Sequence, residues 1–256
     1  MNRMKDGWYD LHCHLLPGMD DGCKTCEESI AVLRRSVQQG VCGMMATPHY
    51  YPVESVERFL QRRQQAFRRL QDALKKQQMP EQPEQPLPRL CLGAEVAYHP
   101  GLVCEEQLRQ LCLGQSSYML LELPFERWSP RVLRDVQTLQ RVHGITPVIA
   151  HLERYRSIEE KAVLQELLEM DVLIQMNAEA FHGLWSGLAA RKALKRRRVQ
   201  VLGSDCHNLT SRPPNLGSTV LQLERSGLGQ CLEPVRCMGR RIFEDAAAKD
   251  EVIEHE

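Results

Sequence analysis

The stretch DLHCHLLPGMDDG, residues 10–22, sets His12 and His14 one residue apart and closes on the doublet Asp20-Asp21. Side chains at i and i+2 of an extended strand leave the same face, so one cation can take both imidazoles. Similar groups recur downstream. ATPHY supplies His49, GAE supplies Glu95, LLELP supplies Glu122, IAHLERY supplies His151, and GSDCHN supplies Asp205 and His207. With Asp21 these make five histidines and four carboxylates. Mixed imidazole and carboxylate donors suit Mn²⁺, Fe²⁺ or Zn²⁺ better than Ca²⁺, and carboxylates can bridge two ions. Nine donors exceed the need of one ion and predict two or three.

Such a cluster lowers the pKa of a bridging water to give hydroxide near neutral pH, and clamps a phosphoryl group for in-line displacement. Arg154 follows His151 by three residues and Arg212 follows His207 by five. Guanidinium forks match phosphate oxygens, so the pair favours phosphate-ester over amide hydrolysis. Either arginine alone would read as a surface ion pair.

Cys206 and Arg212 also have the Cys-x5-Arg spacing of thiolate-dependent tyrosine phosphatases. Those loops are glycine-rich so that backbone N–H groups ring the phosphate, and no glycine lies between these two residues. Alternation about Asp205 and His207 would also aim Cys206 away from both. Metal-activated hydroxide is therefore the expected nucleophile. The lone Cys23-x-x-Cys26 pair reads as ordinary thiols, His99 beside Pro100 as a surface histidine, and the run Lys195–Arg198 as a solvated helix end.

The elements that must position these groups alternate. Apolar runs at Tyr9–Cys13, Val41–Thr47, Leu90–Ala94, Tyr118–Leu121, Pro147–Ala150, Val172–Met176 and Val199–Gly203 each end beside a polar, chemically capable residue. Helical spacing appears over 26–39, 54–76 and 157–170. Strand and helix repeated about seven times imply a parallel α/β sheet, and a closed barrel would bring every strand end to one rim. The proline- and glutamine-rich stretch at 77–88 reads as a surface loop within a single domain over 1–256.

Composition excludes several classes. Lys+Arg and Asp+Glu are 33 each, so there is no basic excess for nucleic acid. No apolar run approaches the roughly 18 residues of a membrane span, and no signal peptide is visible at MNRMKDGWYD. The ten cysteines are then expected to be mostly free thiols in the cytoplasm.

In order along the chain, DLHCHLLPGMDDG, ATPHY, GAEV, LELPF, PVIAHLERY and GSDCHNLTSRPP resemble the bacterial capsule-type tyrosine-protein phosphatases (the CpsB/YwqE group) of the PHP superfamily. The resemblance covers roughly residues 8–220. It implies a distorted (βα)7 TIM-like barrel with three divalent ions, often manganese, held by His12, His14, Asp21, His49, Glu95, Glu122, His151, Asp205 and His207. It implies Arg154 and Arg212 holding the phosphate, with His49 and Asp205 also counted among the catalytic residues. The implied substrate is the phosphotyrosine tail of a membrane-bound bacterial tyrosine kinase controlling capsule or exopolysaccharide assembly. The phosphatase itself would be cytoplasmic and not membrane-inserted, and a homo-oligomer is left open. Leu152 stands where the family usually has proline. The alternatives are another PHP phosphoesterase acting on a small monoester such as histidinol phosphate, and a non-catalytic binder of a kinase tail. The intact donor set speaks against the binder.

Overall fold

The structure, a computed structural model, describes residues 7–77 and 86–247. Most of the expected 77–88 loop therefore lies outside the described residues. The elements run β1 (Trp8–Cys13), α1 (Cys26–Gln38), β2 (Val41–Ala46), β3 (His49–Tyr50), α2 (Val56–Gln77), β4 (Arg89–Leu92), β5 (Glu95–Ala97), β6 (Tyr118–Glu122), α3 (Pro130–Arg141), β7 (Thr146–Ile149), α4 (Lys161–Glu169), β8 (Leu173–Asn177), α5 (Leu184–Lys195), β9 (Val201–Gly203), α6 (Leu216–Leu223) and α7 (Gly229–Ala247). Every ladder among the described residues is parallel. The strands are apolar on both faces, as parallel strands packed inside and out must be.

Three strands pair in the order β1-β2-β4 and six in the order β3-β5-β6-β7-β8-β9. The two groups join at both edges. β4 and β5 are one run broken at Gly93-Ala94, its first half paired with β2 and its second with β3 and β6. At the other edge the amide of Asp205 donates to His12 O at 2.8 Å, and that of His14 to Cys206 O at 2.9 Å. Taking β2/β3 and β4/β5 as broken strands, seven positions surround one interior. This is the distorted (βα)7 barrel.

The interior below the rim is filled by Tyr9, Leu11, Met45, Leu120, Val148 and Val201, and α7 closes that end with Ile242, Phe243 and Ala246. Outside, α1 buries Ile30 and Leu33, and α2 buries Phe59, Phe67, Leu70 and Leu74, at the helical spacing expected. Among the described residues no helix is long and apolar enough to cross a membrane.

Two boundaries differ from the sequence reading. Glu95 does not follow the third strand but opens β5, with His49 paired on one side and Leu120 on the other. The helix expected over 157–170 begins only at Lys161, after a 3-10 helix over Leu152–Ser157. Glu160 is extended, and the buried Glu159 carboxylate accepts the backbone N–H of Trp128, so the chain turns there before the α-helix starts.

Candidate metal centre

The two leading histidines reach the interior because β1 carries an extra residue. Asp10 lies opposite Met44 and Cys13 opposite Ala46, so β1 takes three steps where β2 takes two. This is a β-bulge, which re-aims side chains. Below it Tyr9 and Leu11 face the apolar interior, and above it His12 and His14 do. Asp10 braces the turn-over point by accepting from the amide of Ser204 at 2.9 Å and from its hydroxyl at 2.5 Å.

The donors converge at the C-terminal rim. His12 Nε2 and His14 Nε2 are 3.2 Å apart. Glu95 Oε2 lies 3.1 Å from His12 Nε2, 3.2 Å from His14 Nε2 and 3.1 Å from His49 Nδ1. Its Oε1 lies 2.9 Å from His151 Nε2, which is 3.3 Å from Glu122 Oε1. Asp205 Oδ1 lies 3.5 Å from His12 Nε2 and 3.4 Å from His14 Nε2. Asp21 Oδ1 lies 3.2 Å from His207 Nε2 and 3.6 Å from His49 Nε2. Three groups have donor atoms close enough to share an ion: His14, Asp21, His49 and His207; His12, His14 and Asp205; and His49, Glu95 and Glu122. All nine sequence-predicted donors are in this cluster, His151 through Glu95 and Glu122.

The donor set fits divalent ions. Metal–nitrogen bonds of about 2.0–2.1 Å at right-angle to tetrahedral geometry set neighbouring donors roughly 3.0–3.4 Å apart. A ligating histidine also commonly gives its other ring N–H to a protein acceptor. His14 Nδ1 donates to Asp20 Oδ2 at 2.8 Å, His207 Nδ1 to Asp205 O at 3.0 Å, and His12 Nδ1 faces Gln175 Oε1 at 3.4 Å. Each of these rings thus turns Nε2 to the cluster. His49 Nδ1 is buried close to a carboxylate without making a hydrogen bond.

The electrostatics agree. Burial pushes the Glu95 carboxyl up, but the charge and hydrogen bonds of His12, with those of His14 and His151, hold it well below the usual range. Burial would lower His151, yet hydrogen bonds to Glu122 and Glu95 raise it to about 9. Burial, helped by His14 and Arg212, lowers His207 to about 4. Deprotonated carboxylates and a neutral imidazole are the ligand forms. Protons shared between imidazole and carboxylate, as at His151, lie where a cation could replace them.

Asp205 has two faces. Its Oδ1 points to His12 and His14. Its Oδ2 accepts from Arg154 Nη2 at 2.6 Å, Arg212 Nη2 at 2.5 Å and Asn177 Nδ2 at 2.7 Å. The two guanidinium groups therefore meet at one point on the solvent side of the cluster, each a little over a third exposed. His151 (φ 35) and Asp205 (φ 52) both have left-handed backbone, unusual for residues other than glycine. The amide of His151 donates to Gln175 Oε1 at 2.6 Å, and that of Asp205 to the His12 carbonyl, so the fold holds both.

A model of the family described as capsular polysaccharide synthesis, CpsB/CapC, matches residues 8–235. The chain belongs to that family. It is 31% identical over 231 residues to the tyrosine-protein phosphatase YwqE of Bacillus subtilis, covering 84% of each chain. It is 33% identical over 223 residues to the tyrosine-protein phosphatase CpsB of Streptococcus pneumoniae, covering 80% of this chain and 85% of that one. Among solved structures it resembles one from work on YwqE of B. subtilis and CpsB of S. pneumoniae, described as metal-dependent tyrosine phosphatases. That match has a TM-score of 0.77 at 24% identity and covers 93% of this chain and 94% of the other. A phosphotriesterase homology protein from Escherichia coli shares the fold more distantly, with a TM-score of 0.54 at 14% identity over 93% of this chain and 99% of that one.

Within this CpsB/CapC chain three supporting residues had no role in the sequence reading, which marked Asn177 only as a polar strand end. Asp20, the partly buried neighbour of exposed Asp21, holds His14 and also accepts from the amides of His49 and Gly22, both at 2.9 Å. Gln175 reaches both His12 and His151 from β8. Asn177 donates to Asp205 and accepts from Gln175 at 2.9 Å. The available signal was a glutamine inside an apolar run, an asparagine at its end, and an acidic doublet of which only one member was taken.

Cys206 is fully buried in the apolar cluster that also holds Cys13 and Cys23, on the side away from the donors. All ten cysteines are free. His99 is not in the donor cluster, and Lys195–Arg198 are exposed at the end of α5.

Proposed function

We infer that this protein is a metal-dependent phosphatase that hydrolyses phosphotyrosine on protein. The observation that carries the reading is the convergence of nine ligand-type side chains and two arginines at one barrel rim, in a chain whose relatives are tyrosine-protein phosphatases. The ligands are His12, His14, Asp21, His49, Glu95, Glu122, His151, Asp205 and His207, for three divalent ions, with Mn²⁺ the proposed metal. When bound, such ions lower the pKa of water and neutralise charge on phosphoryl oxygens.

The chain's own residues do the rest. Arg154 and Arg212 take two phosphoryl oxygens, exchanging their bonds to Asp205 for bonds to the substrate. Asp205 and Glu95 stay ionised and fix the imidazoles around them. His14 and His207 keep Nε2 inward because Asp20 and the Asp205 carbonyl hold their other nitrogens. The bond that breaks joins phosphorus to the tyrosine oxygen, and the bond that forms joins phosphorus to a water oxygen. Tyrosine leaves with a phenol pKa near ~10, which asks for little protonation. The buried Cys206 takes no part.

The proposed substrate is the tyrosine-phosphorylated tail of a kinase controlling capsule or exopolysaccharide assembly, supported by the capsular polysaccharide family to which the chain belongs. The proposed location is the cytoplasm, supported by ten free cysteines. The test is hydrolysis of a phosphotyrosyl peptide before chelation, after it, and with Mn²⁺ restored. Activity lost on chelation and recovered with Mn²⁺ is expected. Activity that survives complete metal removal would overturn the reading.

A further inference from the structure

Two large aromatic side chains are half exposed, and each lies flat on an imidazole of the cluster. Tyr51 stacks on His49 with centroids 5.1 Å apart and planes at 25°. Phe125 stacks on His151 at 5.6 Å and 25°, and on Tyr155 at 5.6 Å and 28°. Tyr51 is 44% exposed and Phe125 is 50% exposed. Their two imidazoles contact the two oxygens of one carboxylate, His49 on Glu95 Oε2 and His151 on Glu95 Oε1. The rings therefore mark two sides of the Glu95–Glu122 part of the cluster. The guanidinium groups of Arg154 and Arg212 meet at a different carboxylate, Asp205.

Exposed aromatic rings are costly to leave in water and common where a ligand's apolar part is received. Single exposed apolar residues need no explanation. Here two rings come from different loops, one after β3 and one after β6, and reach the same cluster. The other large exposed apolar side chains include Leu184, Trp185 and Leu188 on α5 and Leu221 on α6, without such a relation to the donors.

We propose that Tyr51 and Phe125 are specificity-determining residues that receive the aryl ring of the phosphate ester, so that the site selects aryl over alkyl esters. The inference rests on the phosphatase reading and deepens it. With the phosphoryl group held by Arg154 and Arg212, the ester oxygen and its substituent extend toward the Glu95–Glu122 side. A phenyl ring there has aromatic faces to meet, whereas the short alkyl arm of a phosphoserine offers no ring to stack on either.

The test uses the Mn²⁺-loaded full chain and two non-hydrolysable probes, phenylphosphonate and methylphosphonate, with affinities from calorimetry. The native protein should prefer phenylphosphonate by about tenfold or more. Phe125→Ala and Tyr51→Ala should bring that preference toward one while leaving methylphosphonate affinity and bound metal within about twofold. Phe125→Tyr and Tyr51→Phe should retain the preference. Turnover of a phosphotyrosyl peptide should follow phenylphosphonate affinity. Equal loss of both probes, or loss of metal, would mean that the rings only brace His49 and His151 and would overturn the proposal. An unchanged preference would overturn it too. Native protein that hydrolyses phosphotyrosyl peptide without preferring phenylphosphonate would sink this inference alone. Aryl preference without any hydrolysis would support the ring site and sink the phosphatase reading.

Discussion

Asp20 Oδ2 accepts from His14 Nδ1 at 2.8 Å and so decides which nitrogen His14 shows to the cluster. The hydrogen bond of His14, set against the cost of burial, holds the Asp20 carboxyl well below its usual range. Asp20→Asn keeps the size of the side chain but weakens this hold. Mn²⁺ affinity should fall by about 10–100-fold, the usual loss for an outer partner of a ligating histidine. A metal titration followed by activity would check it. Affinity equal to that of the native protein would show that His14 needs no such support.

Gly203 makes room for His12. A Cβ there would stand 2.5 Å from His12 Cβ and 3.0 Å from Gln175 Nε2. Gly203→Ala should therefore displace His12 while leaving the remainder of the barrel folded. Phosphatase activity should drop by about a hundredfold, as expected for a misplacement near 1 Å. Circular dichroism and a turnover assay read the two effects separately. Full activity would mean that β9 yields more easily than a packed strand should.

The thiolate and metal-hydroxide mechanisms separate cleanly. Cys206 is buried in the apolar core and His207 faces the donors. Cys206→Ala should keep activity within severalfold, while His207→Ala should reduce it by at least about a hundredfold. A dead Cys206→Ala variant that still binds metal and unfolds normally would restore the thiolate mechanism.

Arg154 and Arg212 donate to the same oxygen of Asp205. Arg154→Gln and Arg212→Gln should each lower kcat/KM for a phosphotyrosyl peptide by about 100–1,000-fold. Because the two groups share a partner, the double variant should lose less than the product of the single losses. A complete set of rate constants for the four proteins tests this. Strict additivity would mean that the arginines act on separate parts of the substrate.

Much of this was legible beforehand. The donors lie at strand ends because a parallel barrel gathers those ends on one rim, and HxH, AHLER and SDCHN stand beside readable apolar runs. The position of Glu95 was not legible in detail, because the break at Gly93-Ala94 depends on pairing partners far along the chain. The late start of α4 was hidden for a similar reason. The carboxylate of Glu159 is taken by a backbone amide 31 residues earlier in the chain, at Trp128. The pairing of Gln175 with both His12 and His151 is likewise a fact of barrel closure, which local pattern does not carry.

The closure of the lower barrel by α7 has a consequence for traffic. Leu11 and His12 are neighbours in sequence and both face inward, so the donors rest directly on an apolar floor formed with Met45, Leu120 and Val148 and sealed by Phe243. Water, phosphate ester and both products must therefore use the same doorway. In a displacement at phosphorus the incoming oxygen and the departing one lie on opposite sides. The guanidinium groups of Arg154 and Arg212 stand on the solvent side of the donors, so the phosphoryl group and whatever is attached to it are met at that opening. A polypeptide of any length can thus present one side chain at the threshold and be released without ever passing through the barrel.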